Sequence, residues 1–186
     1  EAGANINAVD ADGQALIHWA VCAGKKGIVD LLLTYGVLWD VQDVTGGTAL
    51  HWACLNVHGT NTVNQMMNHI LAAGGTLEMP DSEGLTPLMW CAFHDRPKHL
   101  SALISEGARL RARDNQGSSA LHWCAIAPTK LNSTTSTNGC VKPLLKSDPD
   151  LINEKDNEGR VPLHRAVVCH FSSPFSPNHG VFEGGI

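Results

Sequence analysis

At 186 residues with a net charge of −5, from 13 Lys and Arg against 18 Asp and Glu, the chain lacks the clustered cations that general nucleic-acid binding needs. Hydrophobic residues make up 43% of it, yet no apolar run approaches the roughly 18 residues that span a bilayer, so no membrane insertion is expected. It shows no charged and apolar leader of the secretory type.

The first unit sets the pattern. Leu16, Ile17, Ala20 and Val21 fall at helical spacing, Gly24 breaks that helix, and Ile28, Val29, Leu31, Leu32 and Leu33 start a second one that returns antiparallel. Gly36 ends it, and Val37, Trp39 and Val41 alternate along an extended arm that reaches Asp43. The opening phrase LIHWA returns as ALHWAC, PLMWCA, ALHWCA and PLHRA, each behind an Asp, two variable residues and a Gly. Between those glycines, 33 residues separate Gly13 from Gly46, 38 Gly46 from Gly84, 33 Gly84 from Gly117 and 42 Gly117 from Gly159. The period is therefore 33 with insertions of 5 and 9, which makes the chain an array of small stacked units instead of one folded centre.

Later units vary this grammar. The insertions, around Leu55–Thr62 and Pro128–Gly139, fall between the two helices of a unit and read as loops, a cheap place for extra length because closure entropy grows slowly. Thr48 and Thr86 suit helix starts, and Pro87 and Pro162 suit a first turn, where an amide donor is dispensable. Pro143 falls inside the second helix of the fourth unit, where an interior proline costs about 3 kcal/mol and would make that unit the weakest. After HRAVVC the expected second helix of unit five gives way to Ser, Pro and Gly.

The stretch DSEGLTPL (Asp81–Leu88), echoed by DNEGRVPLH (Asp156–His164), resembles the ankyrin repeat family. The resemblance implies an all-α solenoid of antiparallel helix pairs with β-hairpin-like arms. Its units would be a repeat tail at 1–9, repeats at 10–42, 43–80, 81–113 and 114–155, a partial one at 156–171, and an irregular tail at 172–186. It further implies a non-catalytic protein-binding scaffold, with no cofactor, metal, nucleic acid or small-molecule substrate. The wording EGLTPLMWCAFHDRPKHL is similar to inversin-type ankyrin arrays, implying a signalling or ciliary complex, while similar words occur in palmitoyltransferase arrays. The alternatives are the recruiting array of a larger enzyme and a structural spacer.

In that family the first helices and arm tips form a concave groove. The residues facing it here would be Cys22 and Ala23, Leu55 and Asn56, Phe93 and His94, and Ile126 and Ala127, an apolar strip of the kind a partner covers. Glu83, Leu85, Gln116 and Arg160 would present themselves at the tips. Arg109, Arg111 and Arg113 alternate, which in an extended arm directs all three to one side, toward an acidic partner or solvent.

His18, His51, His122 and His164 recur in one register, which points to a structural imidazole tying adjacent loops, not a catalytic one. Trp19, Trp52, Trp90 and Trp123 would bury ring area against the next unit, each with a nitrogen that needs a partner, or else form an aromatic ladder on the inner face. Trp39 plugs the base of its arm. The six cysteines form no CxxC pair, and Cys91 and Cys124 stand where Ala20, Ala53 and Ala166 stand elsewhere, as small packing residues suited to a reducing, cytoplasmic compartment, with cilium or nucleus as alternatives. Cys91, His94 and His99 begin a metal set without a second half, and no GxSxG, P-loop or dinucleotide fingerprint is present. The resemblance also implies that Asn153, eight residues after Leu145, fits the pattern read by asparaginyl hydroxylases.

Overall fold

The computed structural model describes residues 5–55, 60–73, 75–127 and 139–171, the last four without their side chains. In order, the helices are α1 (Leu16–Cys22), α2 (Lys26–Thr34), α3 (Ala49–Leu55), α4 (Asn61–Ala72), α5 (Pro87–Phe93), α6 (Pro97–Ser105), α7 (Ala120–Ile126), α8 (Val141–Ser147), a 3-10 turn at Pro149–Asn153, and α9 (Pro162–Phe171). The odd-numbered helices α1 to α7 form an inner layer, the even-numbered ones an outer layer, and each inner helix packs on the inner helices of its neighbours. This is the expected all-α solenoid of helix pairs.

Short inner helices pack this closely because one register holds only small side chains. Ala20, Ala53, Cys91 and Cys124 are buried there, and a larger residue would push neighbouring units apart. One step before the histidine register, Ile17, Leu50, Leu88 and Leu121 form a buried apolar row, continued on the outer layer by Val29, Met67, Leu100 and Leu144. Fully burying a side chain of this class contributes about 1.5–3 kcal/mol, so neighbouring units hold each other in place.

Both insertions fall between the helices of a unit, after α3 and after α7. Residues 56–59 and 128–138, the tail 172–186, and with them Asn56, lie outside the described residues. The proline in the fourth unit needs a correction. Cys140 is the cap of α8, so Pro143 occupies the third helical position, within the first turn, where its missing amide would have had no intrahelical acceptor. The penalty for an interior proline does not arise. Trp39 lies over the next arm's base, where a Cβ added to Gly75 would sit 2.6 Å from its ring.

Among the described residues the arms are closed by turns and not by paired strands. Among the described residues the one β feature is an isolated bridge between Val9 and Ala15. Each tip is a closed turn in which the Asp amide donates to the carbonyl four residues on, as from Asp81 to Leu85 (2.9 Å) and from Asp114 to Ser118 (3.1 Å). Tips then stack through single backbone bonds, Val44 on Asp12, Ser82 on Thr45, Asn115 on Glu83 and Asn157 on Gln116. Gly84 shows why glycine holds its place: its φ is +84°, and a Cβ there would lie 2.7 Å from Asn115 Oδ1 on the next tip.

Candidate partner-binding groove

The geometry behind the groove starts from one carboxylate per unit. Asp43 Oδ1 accepts from the amides of Thr45 and Gly47, and its Oδ2 accepts from Trp52 Nε1 at 2.8 Å. Asp81 takes the same bonds from Glu83, Leu85 and Trp90 (2.8 Å), and Asp114 from Gln116, Ser118 and Trp123 (2.9 Å). Asp10 repeats the pattern with a longer reach to Trp19, 3.4 Å. In unit five, Arg165 Nε donates to Asp156 at 3.1 Å, so the guanidinium stands in for the indole. Burial alone would raise the Asp43 carboxyl, but the bonds from Thr45, Trp52 and Gly47 outweigh it and hold the group below the usual range. Asp156 is likewise buried, and bonds from Arg160, Glu158 and Arg165 bring it down to about 2.

The histidine register carries a second set of bonds. His51 Nδ1 accepts from the Thr48 amide, which leaves Nε2 to donate to the Leu85 carbonyl of the next unit at 3.0 Å. His122 accepts from Ser119 and donates to the Arg160 carbonyl at 3.0 Å. Burial lowers the pKa of both His18 and His122, so these imidazoles are held neutral. His164 is exposed and accepts from Val161 at 3.2 Å. Rings alternate along the same layer: His18 meets Trp52 at 5.9 Å and His51 meets Trp90 at 5.0 Å. Trp90 and Trp123 are buried, Trp52 is half-buried, and Trp19 is 46% exposed.

On this frame the inner helices present Cys22, Leu55, Phe93, His94 and Ile126, all half-buried. Phe93 meets His94 edge-on at 5.0 Å and Trp123 at 5.5 Å, which fixes its ring as the centre of the strip. Leu55 and Ile126 rest partly on the core to either side.

The tips are less uniform than their sequence suggests. Glu83 is half-buried and Gln116 is exposed, with its Oε1 accepting from Arg165 at 3.1 Å. Arg160 pairs with Asp156 and Glu158. Leu85 is buried, at 2% exposure, and is a core residue whose carbonyl receives His51; it is not presented to a partner.

The arginine arm also differs from expectation. Arg109 to Ala112 form a turn, closed by a bond from the Ala112 amide to the Arg109 carbonyl, so the three arginines do not share one side. Arg111 makes a two-pronged pair with Asp148 (2.6 and 2.9 Å), and Arg113 bonds Glu154 (3.3 Å) and the carbonyls of Gly117 and Lys155. These two brace arm three against the end of unit four, while exposed Arg109 lends its amide to Glu78. The brace lines an open cleft of about 660 Å³ with Glu78, Thr86 and Leu110. Asn153 ends the 3-10 turn, exposed, and Leu145 is half-buried in α8.

Reading by residue type missed the carboxylate column, although the signal was present: Asp and its partner, Trp in four units and Arg165 in the fifth, are nine residues apart each time. Among the described residues no three His, Cys, Asp or Glu side chains converge as a metal set, and no helix is long and apolar enough to cross a membrane. Cys54, Cys91, Cys124 and Cys140 are buried free thiols, and burial raises Cys91, keeping it protonated.

Residues 2–70 match the family description "Ankyrin repeats (3 copies)" and residues 83–115 match "Ankyrin repeat". The chain is 30% identical to inversin of Homo sapiens over 168 residues, 90% of this chain and 15% of that protein. It is 27% identical over 167 residues to the human transient receptor potential cation channel subfamily A member 1, again 89% of this chain but 14% of the relative. Over 92 residues, 49% of this chain and 6% of the relative, it is 39% identical to mouse inhibitor of Bruton tyrosine kinase. With matched repeats over more than half its length and four stacked helix pairs among the described residues, the chain belongs to the ankyrin repeat family.

Proposed function

We propose that this chain is a non-catalytic protein-interaction module whose concave face, centred on Phe93 and flanked by Leu55 and Ile126, holds a segment of a partner protein. The observation that carries the reading is the row itself. Three large apolar side chains, Leu55, Phe93 and Ile126, hold one register on successive inner helices and remain half-exposed, while the small residues Ala53, Cys91 and Cys124 beside them are buried. Aromatic side chains in such a setting are frequent anchors of binding. Glu83, Gln116, Arg109 and Arg160 would contribute at the rim, and the resemblance to inversin supports a signalling or ciliary complex as the setting. Buried free thiols suit a reducing compartment.

Affinity capture from cell extract tests this, with the parent chain beside a Leu55→Asp, Phe93→Asp, Ile126→Asp variant whose folding is verified by circular dichroism. Partners lost only from the variant support the groove and identify its ligand; identical captures overturn it. A second reading, the recruiting array of a larger protein, is favoured by the chain spanning only about 15% of the inversin relatives it matches. In that reading the same groove serves a larger assembly.

A further inference from the structure

The distribution of charge around the groove carries more than its apolar strip does. The inner helices α1, α3, α5 and α7 contain no lysine or arginine, and neither do the four tips at residues 10–14, 43–47, 81–85 and 114–118. Those same tips hold six carboxylates: Asp10, Asp12, Asp43, Asp81, Glu83 and Asp114. Asp10 and Asp12 are exposed and Glu83 is half-exposed, while the others are tied to backbone amides and indole nitrogens, neutral donors that leave the negative charge in place. The described cations of these units lie elsewhere. Lys25 and Arg96 stand between the inner and outer helices of units one and three, and Lys26, Lys98, Lys142 and Lys146 are on outer helices. Arg109 and Lys155 are exposed on arms three and four, Arg111 and Arg113 are braced against unit four, and Arg160 and Arg165 belong to unit five. The apolar strip is therefore joined to four tips that carry carboxylates and no cation.

We infer that the concave face of units one to four takes a cationic amphipathic segment of a partner protein, its apolar side on Leu55, Phe93 and Ile126 and its lysines or arginines along the tips. This rests on the groove reading above and adds the partner's chemistry. A ligand with that pattern gains apolar burial and like-for-unlike charge together, and the rim field raises its rate of encounter. A second copy of this chain is a poorer occupant, because its net charge is also −5 and its concave side is anionic too. An acidic segment would meet the like charges of Asp10, Asp12 and Glu83 at the tips.

The test uses two synthetic helical peptides that share a leucine row, one with lysine and one with glutamate on the remaining positions, and a third with the lysine peptide's composition scrambled to erase the row. Binding to the full chain is read by amide shifts in heteronuclear NMR spectra and by titration at low and moderate salt. The lysine peptide is expected to bind about tenfold or more tighter than the other two, to shift Leu55, Phe93 and Ile126, and to weaken as salt shortens the reach of the rim charges. The variant Asp12→Lys, Glu83→Lys, folded by circular dichroism, should lose about threefold or more of that affinity, and Phe93→Asp should lose most of it.

Equal binding of the lysine and glutamate peptides, or no loss in the charge variant, overturns the cationic partner while leaving the groove standing if Phe93→Asp still abolishes binding. Undiminished binding to Phe93→Asp overturns both, as does no binding of any of the three peptides. A scrambled peptide that binds as well as the patterned one shows attraction of charge alone and overturns the inference.

Discussion

An indole nitrogen aimed at a carboxylate makes Trp123 more than a packing residue. Its ring is buried and its Nε1 donates to Asp114, so Trp123→Phe removes a hydrogen bond to a charged group along with ring area. Chemical denaturation should show a loss of about 2 kcal/mol, in line with hydrogen bonds to charged partners. The same change at Trp19, 46% exposed and 3.4 Å from Asp10, should cost less than about 0.5 kcal/mol. Acid acts on this network in two stages. His18 and His122 have pKa values lowered by burial, so the unfolded chain binds more protons than the folded one below the ordinary histidine value, and stability falls as pH drops from neutral through that range. Asp156, at about 2, and Asp43, also lowered, keep their contribution above the ordinary carboxylate range and lose it as pH falls toward 2. Urea midpoints measured between neutrality and pH 3 should decline throughout, and a flat profile from neutrality to pH 5 would count against the buried neutral histidines.

At the scale of an element, the tips are held by their stacking as much as by their own turns. Gly84 and Gly159 have nearly the same backbone, with φ of +84° and +76°, but a Cβ on Gly84 would press on Asn115 whereas one on Gly159 would meet nothing within 4 Å. Gly159→Ala should therefore cost only the left-handed penalty, about 1 kcal/mol. Gly84→Ala adds the collision and should cost about 2 kcal/mol or more in the same assay. If the two variants prove equally destabilised, the contact between tips contributes little. Arg111 tells a related story. It faces Asp148, Asp150 and Glu154, so Arg111→Glu places four acidic groups together and should lower the melting temperature, with the deficit shrinking at high salt.

Across the whole molecule, stability should follow the number of neighbours. Helices α5 and α7 are packed on both sides, whereas α1 and α9 each have one inner-layer neighbour among the described residues. Exposure tracks this: Leu88 and Leu121 are buried, but Leu163 in the same register is 69% exposed, and Ile28 is 47% exposed where Met66 is fully covered. In a linear array, stability is close to a sum of unit and interface terms. Hydrogen exchange should find the slowest amides in α5 and α7 and the fastest in α1 and α9. Uniform protection along the array would mean that it opens as one block.

The period of 33, the two helices per unit, the site of both insertions and the place of the small residues were legible in the amino-acid sequence, because each depends on local spacing that repetition displays five times over. The need of each tryptophan nitrogen for a partner was legible too, but its identity was not: Asp and Trp are nine residues apart, and only the closed tip folds one onto the other. Similarly, Leu85 sits at a tip in sequence yet its side chain turns into the core, and Pro143 is harmless because Cys140 sets where α8 begins. Alternation suggested one arginine face, but acidic groups some 40 residues away at Asp148 and Glu154 drew two of the three arginines into a brace. Local spacing determined the elements, whereas contacts between units, such as those of Arg111 and Arg113 with Asp148 and Glu154, decided which side chains remain on the surface.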